Sequence, residues 1–167
     1  MIDVSGALKN PGNLFEFTEA LTFEPSEVMG EELRFEDALL EGEFFGAEET
    51  VGIKARLTVK VEAHCSRCLE PVEYPMDVEV EAEFTRSEEE DSYPLVGHTI
   101  DAKDAAFEAL LLELPLRFVC SDDCKGLCPV CGKNRNISSC NCLEGAVKQN
   151  AFSALSSLLS NQNNEEV

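Results

Sequence analysis

The sequence predicts an α+β protein: an N-terminal antiparallel β-sheet, arranged as a meander, with a few helices and a C-terminal cysteine-rich segment. Two long runs, 55–65 and 72–84, alternate apolar and polar residues with the period of a half-buried strand. Apolar residues then recur at helical spacing over 102–114. Six of the eight cysteines follow within residues 120–142. The order along the chain is therefore sheet, helix and cysteine cluster.

Strands are predicted from about residue 14 to residue 85. The runs LFEFTEALTF (14–23) and LRFEDALLEGEFF (33–45) predict two strands with weak alternation. ARLTVKVEAHC (55–65) and VEYPMDVEVEAEF (72–84) alternate cleanly and place mostly acids on the outer face of the second run. The connection CSRCLEP between them has the length of a turn, so these runs predict an antiparallel hairpin with a Cys-x2-Cys at its tip.

Two helices are predicted after the strands. The acidic stretch 87–98 reads as a solvated loop, and Asp101 can then cap a helix over 102–114. Its apolar stripe comprises Ala106, Leu110, Leu111 and Leu114, and Pro115 ends it. A last amphipathic helix is predicted over 144–160.

The net charge is −20, from 13 basic and 33 acidic residues. Such a surface repels nucleic acid and anionic lipid and attracts basic partners. Eight of the basic residues fall in two windows, 54–67 and 117–135, with only three acids among them. These windows also contain both Cys-x2-Cys pairs, so the surroundings of the cysteines are predicted to be much less acidic than the rest of the chain.

The compartment is predicted to be the cytoplasm. The start MIDVSGALKNPG has an early acid and no apolar core, unlike a secretory signal. The longest apolar stretches fall far short of the roughly 20 residues that span a bilayer, so no membrane association is expected. Cytoplasmic thiols stay reduced, which favours metal binding over disulfides for clustered cysteines.

The spacing of the cysteines is typical of zinc knuckles. Two pairs are separated by two residues, one by three and one by a single residue, and eight thiolates complete two tetrahedral four-cysteine shells. A tight turn after the first cysteine of a knuckle directs backbone N–H groups at the sulfurs. We therefore predict two Zn²⁺ ions. The predicted metal ligands are Cys65, Cys68, Cys120, Cys124, Cys128, Cys131, Cys140 and Cys142.

Two groupings of these ligands are open. The favoured one places Cys65, Cys68, Cys120 and Cys124 at one ion and the last four cysteines at the other. The rival joins the two x2 pairs, as in a zinc ribbon. On either grouping we divide the chain into 1–119, the sheet plus one helix, and 120–167, the zinc-binding segment with a helix packed on it, together forming one structural unit.

Other uses of the cysteines fit less well. CKGLCPVC has the Cys-x3-Cys-x2-Cys spacing of radical-SAM clusters, yet it leaves Cys120, Cys140 and Cys142 unexplained. Thioredoxin-like exchange needs its pair at the start of a helix, and Cys65 lies in a predicted turn instead. Hydrolytic zinc needs an open position, whereas all-cysteine shells are closed. With His64 as a predicted surface residue and no nucleotide-binding motif, we predict no catalytic residues and no enzyme activity.

Four stretches resemble the YceD-like family of bacterial and plastid proteins: CSRCLEPVEYPMDVEV, LELPLRFVCSDDCKGLCPVCGKNRN, CNC and NAFSALSSLL. The resemblance implies a role in accumulating large-subunit ribosomal RNA. Some members keep counterparts of only the first four cysteines, which favours the first grouping with the second zinc as an addition. This chain departs from the family at Arg135, often a Leu, and at Ala151, often a Pro. The family has no established catalytic residues.

Together these observations predict a non-enzymatic zinc-binding factor in ribosome biogenesis. Its acidic body is expected to bind a basic ribosomal protein or a large-subunit precursor. Lys125, Lys133 and Arg135, near the knuckles, are candidate local contacts to rRNA, since phosphate contacts need positive surface. The alternatives are a redox- or zinc-responsive regulator, in which oxidised thiols release metal, and an rRNA-processing enzyme.

Overall fold

The computed structural model describes residues 1–47, 50–87 and 92–142. Within these ranges the chain is mostly β-sheet with two helices, so the predicted fold class is confirmed. The elements are β1 (Ile2–Asp3), α1 (Ser5–Lys9), β2 (Leu14–Ala20), β3 (Ser26–Val28), β4 (Glu31–Ala47), β5 (Thr50–His64), β6 (Pro71–Thr85), β7 (Tyr93–Val96), β8 (Thr99–Ile100) and α2 (Lys103–Glu113).

The three long strands form the centre of the sheet. The strand order is β1-β8-β7-β6-β5-β4-β2, and β3 pairs with β4. β5 and β6 pair in antiparallel register from Val51↔Phe84 to His64↔Pro71, which confirms the predicted hairpin and its turn at the cysteine pair. β6 and β7 pair in parallel over two residues, and two antiparallel pairings, β1 with β8 and β2 with β4, join strands that are not consecutive in the chain, so the sheet is a meander only in part.

One face of the sheet is dry because the apolar residues of the alternating strands share it. Leu57, Val61 and Phe84 are fully buried there. Phe107 of α2 packs against the rings of Phe23 and Phe35, at centroid distances of 5.2 and 5.6 Å. This aromatic cluster fixes α2 against the sheet. Full burial of Leu57, Val61 and Phe84 contributes about 1.5–3 kcal/mol for each side chain.

Helix α2 begins close to the predicted position. The N-cap is Ala102, without a side-chain capping bond, so the prediction of Asp101 as the cap is wrong by one position; the Asp101 carboxylate accepts a hydrogen bond from the backbone N–H of Lys103 at 3.1 Å. Ala106 and Leu110 of the predicted stripe are buried, while Leu111 is half-buried. None of the described helices is long and apolar enough to cross a membrane.

The prediction of a loop over 87–98 is wrong for its second half. Residues 93–96 form β7, and the chain turns through Gly97 into β8. A strand of four residues is too short to show a period, and the acids before it dominate the pattern. The predicted helix over 144–160, and Ala151 within it, lie outside the described residues.

The chain divides into two compact units. The first comprises residues 1–66 and 70–120, which include the sheet and both described helices. The second comprises residues 67–69 and, of the described chain, 121–142. The change at 120/121 is one residue from the division drawn from the sequence, but three residues of the β5–β6 turn belong to the second unit.

Candidate metal centres

The eight cysteine sulfurs gather in two groups of four. Within each group all Sγ atoms lie within 4.8 Å of one another. A tetrahedral Zn²⁺ with Zn–S bonds of about 2.3 Å spaces its sulfurs about 3.8 Å apart, so both groups could hold such an ion. The grouping is the one favoured from the sequence. The first cluster is Cys65, Cys68, Cys120 and Cys124, and the second cluster is Cys128, Cys131, Cys140 and Cys142.

The turn between β5 and β6 positions the first two cysteines. Cys65 donates its backbone N–H to the carbonyl of Glu70 at 2.8 Å, which closes the turn. Ser66 donates twice to the carbonyl of Phe118, from its N–H at 2.9 Å and its hydroxyl at 2.8 Å. These bonds hold the turn beside the segment that leads to Cys120. Cys65 is completely buried.

Arg67, between the two cysteines of the turn, organises the loop that carries Cys124. Its Nη1 donates to the carbonyls of Asp122 at 3.0 Å and Cys124 at 3.1 Å. Its own carbonyl accepts the N–H of Leu127 at 2.9 Å. Gly126 has a positive φ of 68°, and a methyl group there would lie 2.9 Å from that carbonyl oxygen. The sequence indicated only a basic residue at position 67.

Asn136 supports the first cluster from outside it. Its Nδ2 donates to the sulfur of Cys124 at 3.3 Å, and its Oδ1 accepts the N–H of Lys125 at 2.8 Å. The side chain of Asn134 in turn accepts the N–H of Asn136 at 3.0 Å. Hydrogen bonds of this kind orient a metal ligand and stabilise its thiolate. Sequence reasoning missed this role, although the short polar run NRN after the knuckle was its signal.

The second cluster begins in a tight backbone turn. Cys128 donates its N–H to the carbonyl of Lys133 at 2.8 Å and accepts the N–H of Gly132 at 2.9 Å. The backbone N–H groups of Val130 and Cys131 face the Cys128 sulfur and lower the pKa of its thiol to about 6. This is the geometry expected of a knuckle, in which the turn donates to the first sulfur. Cys128 is buried and Cys131 is exposed.

Two other thiols of the second cluster hold their protons. Hydrogen bonding to Cys131, together with burial, raises the pKa of Cys142 to about 12. Hydrogen bonding to Cys128 raises the pKa of Cys140. In the metal-free cluster the Cys128 thiol therefore loses its proton before the thiols of Cys140 and Cys142 do. A divalent cation that binds all four sulfurs must displace these protons.

The three candidate RNA contacts lie on the knuckle loops. Lys125, Lys133 and Arg135 are exposed, while their backbone groups take part in the turn. The described residues of the second unit include one further basic side chain, Arg67, which donates to carbonyls. Two acids, Asp122 and Asp123, lie in the same stretch.

The basic residues of the window 54–67 lie closer to acidic residues than the composition of that window suggested. Lys54, Arg56 and Lys60 project from β5 between acidic neighbours. Lys54 pairs with Glu81 at 3.1 Å, and Lys60 pairs with Asp37 at 2.7 Å. The interpretation of residues 54–67 as a less acidic region around the cysteines is therefore wrong for Lys54 and Lys60, because both form ion pairs across the sheet. Arg56 lies between Glu41 and Glu79 in the strand register.

A comparison with known families finds one family model that covers both the hairpin and the cysteine clusters. A family model described as the large ribosomal RNA subunit accumulation protein YceD matches residues 53–159. The chain belongs to this family. The YceD match begins in β5 and includes all eight cysteines. The resemblance identified from the sequence motifs is thus confirmed.

Curated relatives of this YceD-family chain occur in mycobacteria. Uncharacterized proteins of Mycobacterium tuberculosis and Mycobacterium bovis are 30% identical over 142 residues, which cover 78% of this chain and 68% of theirs. An uncharacterized protein of Mycobacterium leprae is 33% identical over 95 residues, which cover 50% of this chain and 42% of its own. No solved structure matches.

Proposed function

We propose that this protein is a non-enzymatic zinc-binding factor of ribosome biogenesis. It supports accumulation or assembly of large-subunit rRNA by binding a basic ribosomal protein, free or within a large-subunit precursor, in the cytoplasm. The family description supports the ribosomal role. The observation that carries the mode of binding is the acidic outer face of the sheet.

That outer face carries far more acids than bases. Glu79 and Glu81 on β6 and Glu41 and Glu43 on β4 enclose the basic residues of β5, row by row. The further exposed acids on these strands and β2 are Glu16, Glu36, Glu73, Asp77 and Glu83. The uncompensated charge attracts a basic partner and raises its rate of association, more strongly at low salt.

The two cysteine clusters act as structural zinc sites in this account. Four thiolates close the coordination shell, so no position stays open for a substrate or an activated water. When bound, zinc supplies cross-links between the cysteine-bearing turns. The protein contributes the turns themselves and the supporting bonds from Ser66, Arg67 and Asn136.

Lys125, Lys133 and Arg135 approach rRNA locally once the partner is engaged. Three exposed charges support only a limited phosphate contact, and the net charge of −20 opposes broad RNA binding. Replacing the three with Gln is therefore expected to weaken binding to a precursor particle and to leave binding to an isolated ribosomal protein unchanged.

The test is binding of the zinc-loaded full chain to large-subunit precursors and to a purified basic large-subunit protein at about 0.15 M salt. We expect binding to both that weakens as salt rises. An unrelated basic protein of equal net charge is the control, and it should bind more weakly. Absence of binding to precursors and basic ribosomal proteins alike would contradict the proposal.

A second candidate function, a redox- or zinc-responsive regulator, is favoured by the exposure of Cys131 in the second cluster. Mild oxidation should then release zinc and abolish partner binding, and reductant with zinc should restore both. If partner binding is unchanged after oxidation, the regulator hypothesis is wrong and the zinc ions have only a structural role. An rRNA-cleavage assay with pure protein tests the enzymatic alternative.

A further inference from the structure

From Glu79 toward the Thr85 end of β6, charge matching across the outer sheet face stops at Glu83. Along β6, Glu79 lies opposite Arg56, and Glu81 lies opposite Lys54. Glu83 lies opposite Gly52, which has no side chain to offer. Among the described residues Glu83 makes no ion pair, and its side chain is exposed. An uncompensated carboxylate therefore ends this row of acids.

An aromatic ring occupies the place of the missing side chain. Phe45 of β4 lies opposite Gly52, so Phe45, Gly52 and Glu83 form one row across three strands. A methyl group added at Gly52 would lie 2.5 Å from Cζ of the Phe45 ring and 2.9 Å from Cε2. Only glycine leaves this space free. The ring therefore covers the row beside the unmatched carboxylate.

A cavity of about 640 Å³ opens at this end of the sheet. Phe45, Glu81 and Glu83 line it, together with Tyr93 of β7 and Glu108 of α2. The Tyr93 hydroxyl donates to a Glu108 carboxylate oxygen at 2.5 Å. Burial, followed by this bond, raises the pKa of Tyr93 to about 12, so the hydroxyl stays protonated. The lining of the cavity thus contains two aromatic rings, three carboxylates and one lysine, Lys54, which is already paired with Glu81.

We propose that this cavity receives an arginine side chain of the basic partner, with the guanidinium bound by Glu83 and stacked on Phe45. A guanidinium offers a planar face to the ring and paired N–H donors to a carboxylate, and it is more weakly hydrated than an ammonium. The volume exceeds one side chain, which leaves space for flanking backbone. This inference rests on the proposed function and names the residue type through which the acidic face selects its partner.

Three short peptides test the selectivity on the zinc-loaded full chain. They share one sequence that contains arginine, lysine or citrulline at the central position, with neutral flanks, and binding is followed by NMR titration. We expect the arginine peptide to bind about tenfold more tightly than the lysine peptide, and the neutral citrulline peptide not to bind measurably. Equal binding of the arginine and lysine peptides would overturn the proposal.

Variants test the site. Glu83→Gln and Phe45→Leu should each weaken binding of the arginine peptide about tenfold, whereas Phe45→Tyr keeps a ring and should bind as the parent does. Asp77→Asn is the matched control, because Asp77 is exposed on the same face of β6 and lies opposite Thr58, outside the cavity. It should change binding less than about twofold. Equal losses for Glu83→Gln and Asp77→Asn would indicate diffuse attraction and contradict the site.

The same variants separate this inference from the proposed function. If ribosomal precursors bind the parent and Glu83→Gln equally well, the arginine site is wrong and the ribosomal role stands. If no ribosomal component binds the parent, but the peptides show the arginine preference and its loss in Glu83→Gln, the site stands and the ribosomal role is wrong.

Discussion

The two cysteine clusters have the same chemistry in very different surroundings. The first cluster joins cysteines about 50 residues apart in the chain, and three of its four members are buried. The second cluster is drawn from residues 128–142, and only Cys128 is buried. The difference teaches that four thiols can serve as part of a folded core or as an accessible local centre. Closing the longer loop also removes more entropy from the unfolded chain.

The largest expected effect is on stability. Cys65→Ser with Cys68→Ser should lower the free energy of unfolding by about 4 kcal/mol or more, because it removes a metal site and leaves buried polar groups. Cys128→Ser with Cys131→Ser is the matched control, which should cost less than half as much. Urea unfolding followed by circular dichroism measures both. Equal losses would remove the distinction between the clusters.

The pH dependence of zinc binding at the second cluster is the next effect. Around pH 7 the Cys128 thiol, with a pKa of about 6, is mostly ionised, whereas Cys140 and Cys142 hold their protons because their pKa values are raised. Zinc must displace at least the two protons of that pair, so affinity should rise by at least about 100-fold per pH unit and fall as pH is lowered. Calorimetry in two buffers of different ionisation enthalpy, on the Cys65→Ser, Cys68→Ser variant, counts the protons. Release of no protons would contradict these protonation states.

Rates of zinc loss sharpen the comparison further. A chelator or mild oxidant should remove the second ion at least about tenfold faster than the first, because thiol reactions follow exposure. Release is read with a coloured zinc indicator, and alkylation followed by mass spectrometry identifies the freed cysteines. Cys131 should be modified before Cys65. The reverse order would show that burial in the folded chain does not protect the first cluster.

A smaller effect is expected from the support outside the first cluster. Asn136→Ala removes the hydrogen bonds to the Cys124 sulfur and to the Lys125 N–H, and it should weaken zinc binding at the first cluster by about tenfold or less. Ser138→Ala, an exposed position in the same loop, is the control. Competition with a chelator gives the affinity of each site. An effect confined to the second cluster would reverse the assignment of Asn136.

The alternation of apolar residues predicted the β5–β6 hairpin correctly, because both strands are long and one face is buried. The start of α2 was predicted to within one residue, since the carboxylate of Asp101 lies next to the helix start and bonds locally to the N–H of Lys103. The short elements β1, α1, β7 and β8 were missed, since two to five residues carry no measurable period.

The supporting residues of the candidate sites needed three-dimensional structure. Arg67 donates to carbonyls more than 50 residues further along the chain, and no local sequence pattern predicts such a contact. Gly52 and Phe45 meet only through the register of β4 with β5, in which a shift of one residue would exchange the faces. Cysteine spacing, by contrast, indicated both clusters, because knuckle geometry is set within a few residues.

The most direct test of two separate four-thiol centres is the zinc content per chain of protein purified without added metal. The parent and the Cys140→Ser, Cys142→Ser variant are compared by elemental analysis, with circular dichroism to follow the sheet. We predict about two zinc ions per chain in the parent and about one in the variant, with the sheet intact. Loss of both ions from the variant, or iron in place of zinc, would contradict the account.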